Sequence, residues 1–259
     1  MISQKKILKL TKKIEQKILN SKLNYSFFKK PFEHIVIDNI LDDKLARKCE
    51  KSFPELNKKN WNFNNYENIE IKYRSKWNSE FDIPENIIDV VRIMNSSLIL
   101  KSISKKIGIK KLVPDPYFTG GGLNITKKGG LLDVHIDGNY HDATGLNRRL
   151  NLLIYFCKNW KKEYGGELCF YDKRGKKLIK KIEPIFNRMV IFNTHDQSYH
   201  GLPDEVNFPE KNPRKSLILY YYTKEPRLSK YNIIKKPHSA LWVKKNRKDI
   251  SGKVLRKFS

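Results

Sequence analysis

Residues 131–137, Leu-Leu-Asp-Val-His-Ile-Asp, set a histidine and an aspartate two positions apart. In an extended strand side chains alternate between faces, so His135 and Asp137 project the same way. One imidazole and one carboxylate on a common face are two thirds of a 2-His-1-carboxylate set. That set holds one side of a non-haem Fe(II) and leaves the opposite positions open. Alone the pair is a short motif that a solvated strand also carries. The chain then supplies a second histidine, His200, in Ser-Tyr-His-Gly-Leu after the apolar run 188–193. Fourteen residues later Arg214 opens Arg-Lys-Ser and the strand-like run 216–222. A guanidinium stays charged and donates two parallel hydrogen bonds to a carboxylate. Arg214 is therefore the candidate to fix the far carboxylate of a dicarboxylic keto acid whose near carboxylate and keto oxygen chelate the metal.

Ligands so far apart need elements that fold back on one another. In the second half, strand-like runs alternate with turn signals at about 113–126, 131–137, 149–157, 166–171, 178–183, 188–193, 197–202 and 214–223. Gly-Gly turns separate several of them, and the pattern predicts a sandwich or jelly roll. The first half reads differently. Ile7, Leu10, Ile14 and Ile18 recur among lysines at helical spacing, predicting a basic amphipathic helix over 2–22 that packs on the domain. A strand is expected over 31–38, a helix from Asp42 or Asp43 to about Ser52, and helices over 84–94 and 96–107 ending near Gly108. Residues 57–82, rich in Asn, Lys, Trp and Tyr without a clear period, read as a long loop. The expected organisation is a helical support over 1–110, a jelly-roll domain over 111–225 and a basic tail over 226–259 that wraps the domain or is partly mobile.

With 259 residues, 39% apolar and 12% aromatic, the chain can bury a sizeable core. No apolar run is long enough to span a membrane and no apolar signal segment opens the chain. Cys49, Cys157 and Cys169 form an odd set without metal spacing, which fits a reduced, cytoplasmic compartment. The formal charge of +26 is compatible with nucleic acid, an anionic membrane or an acidic polymer, but the lysines are scattered from Lys5 to Lys257 rather than clustered. A nucleic-acid partner is thus possible and not favoured. His34 reads as structural, and His141 and His195 read as solvated residues near the mouth.

Three further stretches carry a resemblance: 149–160 (RLNLLIYFCKNW), 165–171 (GGELCFY) and 182–192 (IEPIFNRMVIF). With the His-Asp-His order and Arg-Lys-Ser, the chain over about 113–223 resembles the Fe(II)/2-oxoglutarate-dependent dioxygenases of the prolyl 4-hydroxylase superfamily. Among these it is most similar to the hypoxia-inducible-factor prolyl hydroxylase catalytic domains and their microbial relatives. The resemblance implies a mainly β double-stranded β-helix (jelly roll, cupin-like) with helical support. It implies His135, Asp137 and His200 as iron ligands and Arg214 on the 2-oxoglutarate C5 carboxylate. Tyr155 shares that carboxylate, and Ser216 adds a hydrogen bond. It further implies O2 as oxidant, ascorbate as reductant, and hydroxylation of an unactivated C–H bond with release of succinate and CO2. The substrate is read as peptidyl, amino-acid or glycan-linked. The alternative is oxidative demethylation or hydroxylation of nucleic acid, for which 216–221 lacks the second arginine those relatives carry. The loop 138–141 and the long interval between His200 and Arg214 depart from the animal enzymes, so their substrate does not transfer.

Overall fold

The computed structural model describes residues 3–66 and 69–244. In α1 (Gln4–Leu19), Leu10, Ile14 and Ile18 are buried at helical spacing while the lysines between them face solvent. There follow β1 (Phe27–Phe28), β2 (His34–Ile37) and α2 (Asp43–Lys51), then β3 (Trp61–Tyr66) and β4 (Glu70–Ser75), then α3 (Ile87–Met94) and α4 (Ser97–Ile107). α4 stops at Gly108, whose φ of 81° is the left-handed cap that a glycine adopts without a Cβ clash. The remainder is strand: β5 (Val113–Pro114), β6 (Gly122–Thr126), β7 (Leu131–Ile136), β8 (Asn147–Tyr155), β9 (Leu168–Tyr171), β10 (Leu178–Ile182), β11 (Met189–Asn193), β12 (His200–Leu202), β13 (Arg214–Thr223) and β14 (Leu241–Trp242).

The pairing order is β1-β2-β11-β8-β13-β6-β4-β7-β12-β9-β10, with β14 on β7, β3 on β4 and β5 on β13. β4 pairs with both β6 and β7 and so joins the two halves of the path. Alternation decides what each half buries. Leu150, Leu152 and Ile154 of β8 share a core with Met189 and Ile191 of β11, Leu217 and Leu219 of β13, and Ile14, Val90, Ile93 and Ile103 of the helices. The intervening residues Leu153, Tyr155, Val190 and Phe192 face the other way and pack with Leu168, Phe170 and Leu202 of the opposite half. Helices thus cover the outside of one half, and the space between the halves is the jelly-roll interior. This is a mainly antiparallel double-stranded β-helix with four supporting helices.

Three readings change. Residues 57–82 are not a loop throughout: β3 and β4 pair antiparallel along six residues, from Trp61↔Ser75 to Tyr66↔Glu70. β3 is mostly exposed, so its backbone pairs without the apolar alternation that would have marked it. The run 113–126 is two strands, because the chain turns through Gly120 and Gly122 at φ of 81° and 111°. The N-terminal support also contributes strands, β2 and β4 being full members of the sheet. The tail reaches back to the domain, where β14 pairs with β7; its residues 245–259 lie outside the described residues. No helix among the described residues is long and apolar enough to cross a membrane.

Candidate metal and cosubstrate site

β7 and β12 lie antiparallel with His135 directly opposite His200. That register turns both imidazoles to the same face, with ring centroids 4.5 Å apart. Each ring is oriented by the same device: His135 Nδ1 donates to the Asp133 carbonyl (2.8 Å) and His200 Nδ1 to the Ser198 carbonyl (2.9 Å). A carbonyl only accepts, so each Nε2 is left with a free lone pair, the tautomer a metal ligand needs. Asp137 completes the group, with Oδ1 3.9 Å from His135 Nε2 and Oδ2 3.4 Å from His200 Nε2. One ligand atom from each of the three lies within 4.8 Å of the others.

Charge states fit a divalent cation. Burial lowers His135 to about 4, with His200 adding to the effect against the pull of Asp137. His200 is lowered chiefly by burial as well. Burial raises the Asp137 carboxyl, but Arg148, His200, His135 and the Asn151 hydrogen bond outweigh it and hold the group well below the carboxylate range. Two neutral imidazoles and one carboxylate are the protonation states that metal binding requires.

A cavity of about 200 Å³ is lined by these three residues and by Arg214 and Ser216. Arg214 is buried and donates Nε–H to the Gly166 carbonyl at 2.8 Å. Its guanidinium carbon is 5.0 Å from the centre of the Tyr155 ring, and Tyr155 pairs directly with Ser216. Arg214 Nη2, the Tyr155 hydroxyl and Ser216 Oγ are all buried without a hydrogen-bond partner. An unmet buried polar group costs about 1–3 kcal/mol, so three together mark an end of the site where an acceptor is missing. Burial, opposed by Arg214, raises Tyr155 to about 12 and keeps it a neutral donor. Gly166, at φ 79°, permits the approach, since a Cβ there would sit 3.1 Å from Arg214 Cδ.

Residues 121–222 match the family model of the 2OG-Fe(II) oxygenase superfamily. The chain carries a domain of that superfamily. The prolyl 3-hydroxylase OGFOD1 of Mus musculus is 26% identical over 106 residues, covering 38% of this chain and 19% of that protein, so the chain matches well under two thirds of this relative. A prolyl hydroxylase of Trichoplax adhaerens, solved with a hypoxia-inducible-factor peptide fragment, aligns at TM-score 0.58 and 16% identity over 86% of this chain and 95% of that one. A Pseudomonas putida prolyl-4-hydroxylase gives 0.52 at 16% identity over 73% and 92%. These structural likenesses establish the fold.

The site also contains residues that the sequence reading passed over. Arg148 Nη2 lies 3.1 Å from Asp137 Oδ1, and Asn151 Nδ2 donates to Asp137 Oδ2 at 2.9 Å. Arg148 also donates to Asn151 Oδ1 and lies 3.5 Å above the Tyr220 ring. The available signal was Asn151, a polar residue on the inward face of an otherwise apolar strand. Trp242 pairs with His135, and their rings lie 4.6 Å apart.

Two expected bystanders of the oxygenase domain are not solvated. His141 is buried, facing Asp115 through Nε2 at 3.0 Å and accepting at Nδ1 from the Ala143 amide. His195 is buried too, stacked on Tyr231 at 4.4 Å. Both are satisfied loop anchors, held by partners remote in sequence. His34 is structural as expected, with Nδ1 2.7 Å from the Phe32 carbonyl and its ring stacked on Phe28.

Proposed function

We propose that this chain is an Fe(II)- and 2-oxoglutarate-dependent hydroxylase of the prolyl-hydroxylase type. One observation carries the reading: two lone-pair-bearing imidazoles and a carboxylate share a cavity with Arg214 and Ser216, which, like the neighbouring Tyr155 hydroxyl, carry unpartnered buried polar atoms. His135, Asp137 and His200 would hold Fe(II), and Arg214, Tyr155 and Ser216 would receive the C5 carboxylate of 2-oxoglutarate. When bound, iron and the keto acid supply oxidative C–H hydroxylation, consuming O2 and yielding succinate and CO2. The protein orients both imidazoles through backbone carbonyls, holds Asp137 ionised with Arg148 and Asn151, and excludes water from the carboxylate end. Asp137 is a ligand that a halogenating relative would lack, so hydroxylation is the expected outcome.

A prolyl target draws support from what the similar proteins are named to act on. Peptidyl, amino-acid and glycan-linked substrates all remain within this reading. Ascorbate as reductant and the cytosol as compartment belong to it too, the three cysteines being free and buried. The test is succinate formation from 2-oxoglutarate with Fe(II), screened over peptide, amino-acid, sugar and oligonucleotide pools. Turnover with a peptide pool that is lost in His200→Ala and Asp137→Ala supports the reading. Full activity in His200→Ala removes the metal assignment, and turnover confined to oligonucleotides transfers it to nucleic-acid oxidation.

A further inference from the structure

The charges around the cavity do not cancel: four cations face two carboxylates. Its charged lining residues are Glu70, Lys72, Arg74, Asp137, Arg148 and Arg214. Lys72 and Glu70 form an ion pair at 2.8 Å. Arg148 meets Asp137, and Arg214 donates to the Gly166 carbonyl and is the residue assigned above to the 2-oxoglutarate C5 carboxylate. Neither Arg74 nor Arg214 has an ion-pair partner among the described residues; with Arg214 given to the cosubstrate in the reading above, Arg74 is the cation left over.

Its position is set by register. On β4, Arg74 pairs with Asn124 of β6, Asn124 pairs with Ser216 of β13, and Ser216 pairs with Tyr155 of β8. Three strand spacings put Arg74 about 14 Å along the sheet from Tyr155, too far to share the same carboxylate. The side chain reaches the turn at Gly120 instead. A Cβ on Gly120 would lie 3.7 Å from Arg74 Nη1 and 3.3 Å from the Tyr220 ring. Tyr220 is the ring beneath Arg148, and Arg148 is the partner of Asp137. The free guanidinium therefore stands on the metal-ligand side of the cavity, where a C–H bond presented for oxidation must lie.

A half-buried guanidinium has given up part of its hydration, and an anion restores that loss best. We propose that Arg74 binds a carboxylate of the primary substrate, which is a peptide segment with an aspartate or glutamate beside the hydroxylated residue. This rests on the hydroxylase reading above. One free cation matches one carboxylate. A phosphodiester backbone would need several cations in a row.

The probes are capped alanine-rich peptides with one central proline flanked by Glu, by Gln or by Lys, together with a short oligothymidylate. Binding is read by calorimetry at low salt on protein loaded with Co(II) and 2-oxoglutarate. The Glu peptide is expected to bind at least about tenfold tighter than the Gln peptide, and the Lys peptide more weakly than either. Arg74→Gln removes the Glu-over-Gln ratio and Arg74→Lys keeps part of it, while both variants take up Co(II) and 2-oxoglutarate like wild type. Equal or absent binding of the Glu and Gln peptides in wild type overturns the proposal. So does a ratio that survives Arg74→Gln, or an oligothymidylate that binds as tightly as the Glu peptide. Should Arg74→Gln fail to fold, the wild-type Glu-over-Gln ratio and the Arg74→Lys variant decide. Co(II) and 2-oxoglutarate are titrated first without peptide: failure of wild type to bind 2-oxoglutarate defeats the hydroxylase reading, whereas uptake of 2-oxoglutarate with equal binding of the Glu and Gln peptides overturns the Arg74 proposal alone.

Discussion

Arg214 is satisfied at one nitrogen and left open at another. Nε meets the Gly166 carbonyl, while Nη2 has no partner and shares that state with the Tyr155 hydroxyl beside it. If the C5 carboxylate fills that gap, Arg214→Ala raises the KM for 2-oxoglutarate at least about tenfold, since a hydrogen bond to a charged group contributes roughly 1.5–3 kcal/mol. Tyr155→Phe removes a neutral donor of about 0.5–1.5 kcal/mol and gives a smaller rise. Titration of 2-oxoglutarate at saturating Fe(II) reads both, and equal KM values in all three proteins would assign the cosubstrate to another cation. His34 makes a prediction of a different kind. Burial lowers its pKa from 6.5 to about 4, against the Phe32 hydrogen bond and with a small contribution from Lys180. Between those values the unfolded chain binds the proton that the folded chain refuses. Its contribution to stability is therefore complete above about pH 6.5 and is lost as pH falls towards 4, by roughly 3 kcal/mol in full. His34→Asn keeps a donor for the Phe32 carbonyl and cannot titrate. Urea midpoints measured across that window should fall less steeply than in wild type; parallel curves would place the acid sensitivity elsewhere.

At the scale of elements, the metal group depends on how closely β12 approaches β7. A Cβ on Gly201 would lie 2.7 Å from the carbonyl oxygens of both Leu132 and Asp133. The Asp133 carbonyl is the one that orients His135. Gly201→Ala must therefore push the two strands apart and tilt the imidazole, although no ligand is altered. Loss of such outer support typically costs about 10–100-fold in metal affinity. Co(II) calorimetry should show a loss of that size together with a lower Tm, and unchanged affinity would mean that the strand spacing is slack. On the other flank, the tail is tied down by a buried ion pair between Arg227 and Asp196 (2.7 Å) and by Asn139, which binds His238 N and the Lys236 carbonyl. These ties bring Trp242 against His135 from a segment whose sequence has no strong period.

For the molecule as a whole, the charge of +26 and the chemistry of the cavity are separate matters. Inside the cavity Lys72 and Arg148 are matched by carboxylates and two arginines remain, whereas most of the excess lies on exposed lysines such as those of α1. Diffuse positive charge attracts polyanions through counterion release, without register or specificity. Binding to mixed-sequence DNA should accordingly be weak at physiological salt and fall steeply along a salt series followed by fluorescence anisotropy. A tight complex with one oligonucleotide that persists at high salt, and oxidation of that oligonucleotide, would favour the nucleic-acid reading instead.

What the sequence by itself determined is the local part of this design. A period of two told that His135 and Asp137 share a face, and apolar runs bounded by glycines marked β8, β11 and β13. Arg214 was legible from its chemistry at the opening of a strand, whereas Tyr155 and Ser216 were legible only through the family resemblance. Register between strands was not legible. That His135 stands opposite His200, that β4 bridges both halves, and that Trp242 covers an imidazole all depend on pairings between residues distant in sequence, which no local pattern records. Burial of His141 and His195 was hidden for the same reason, since Asp115 and Tyr231 come from other segments. Arg148, just outside the strand-like run expected from 149, gave no signal of its own. Only the tertiary structure sets it against Asp137, because an ion pair in a low-dielectric interior is decided by which charges the fold brings together and not by their order along the chain.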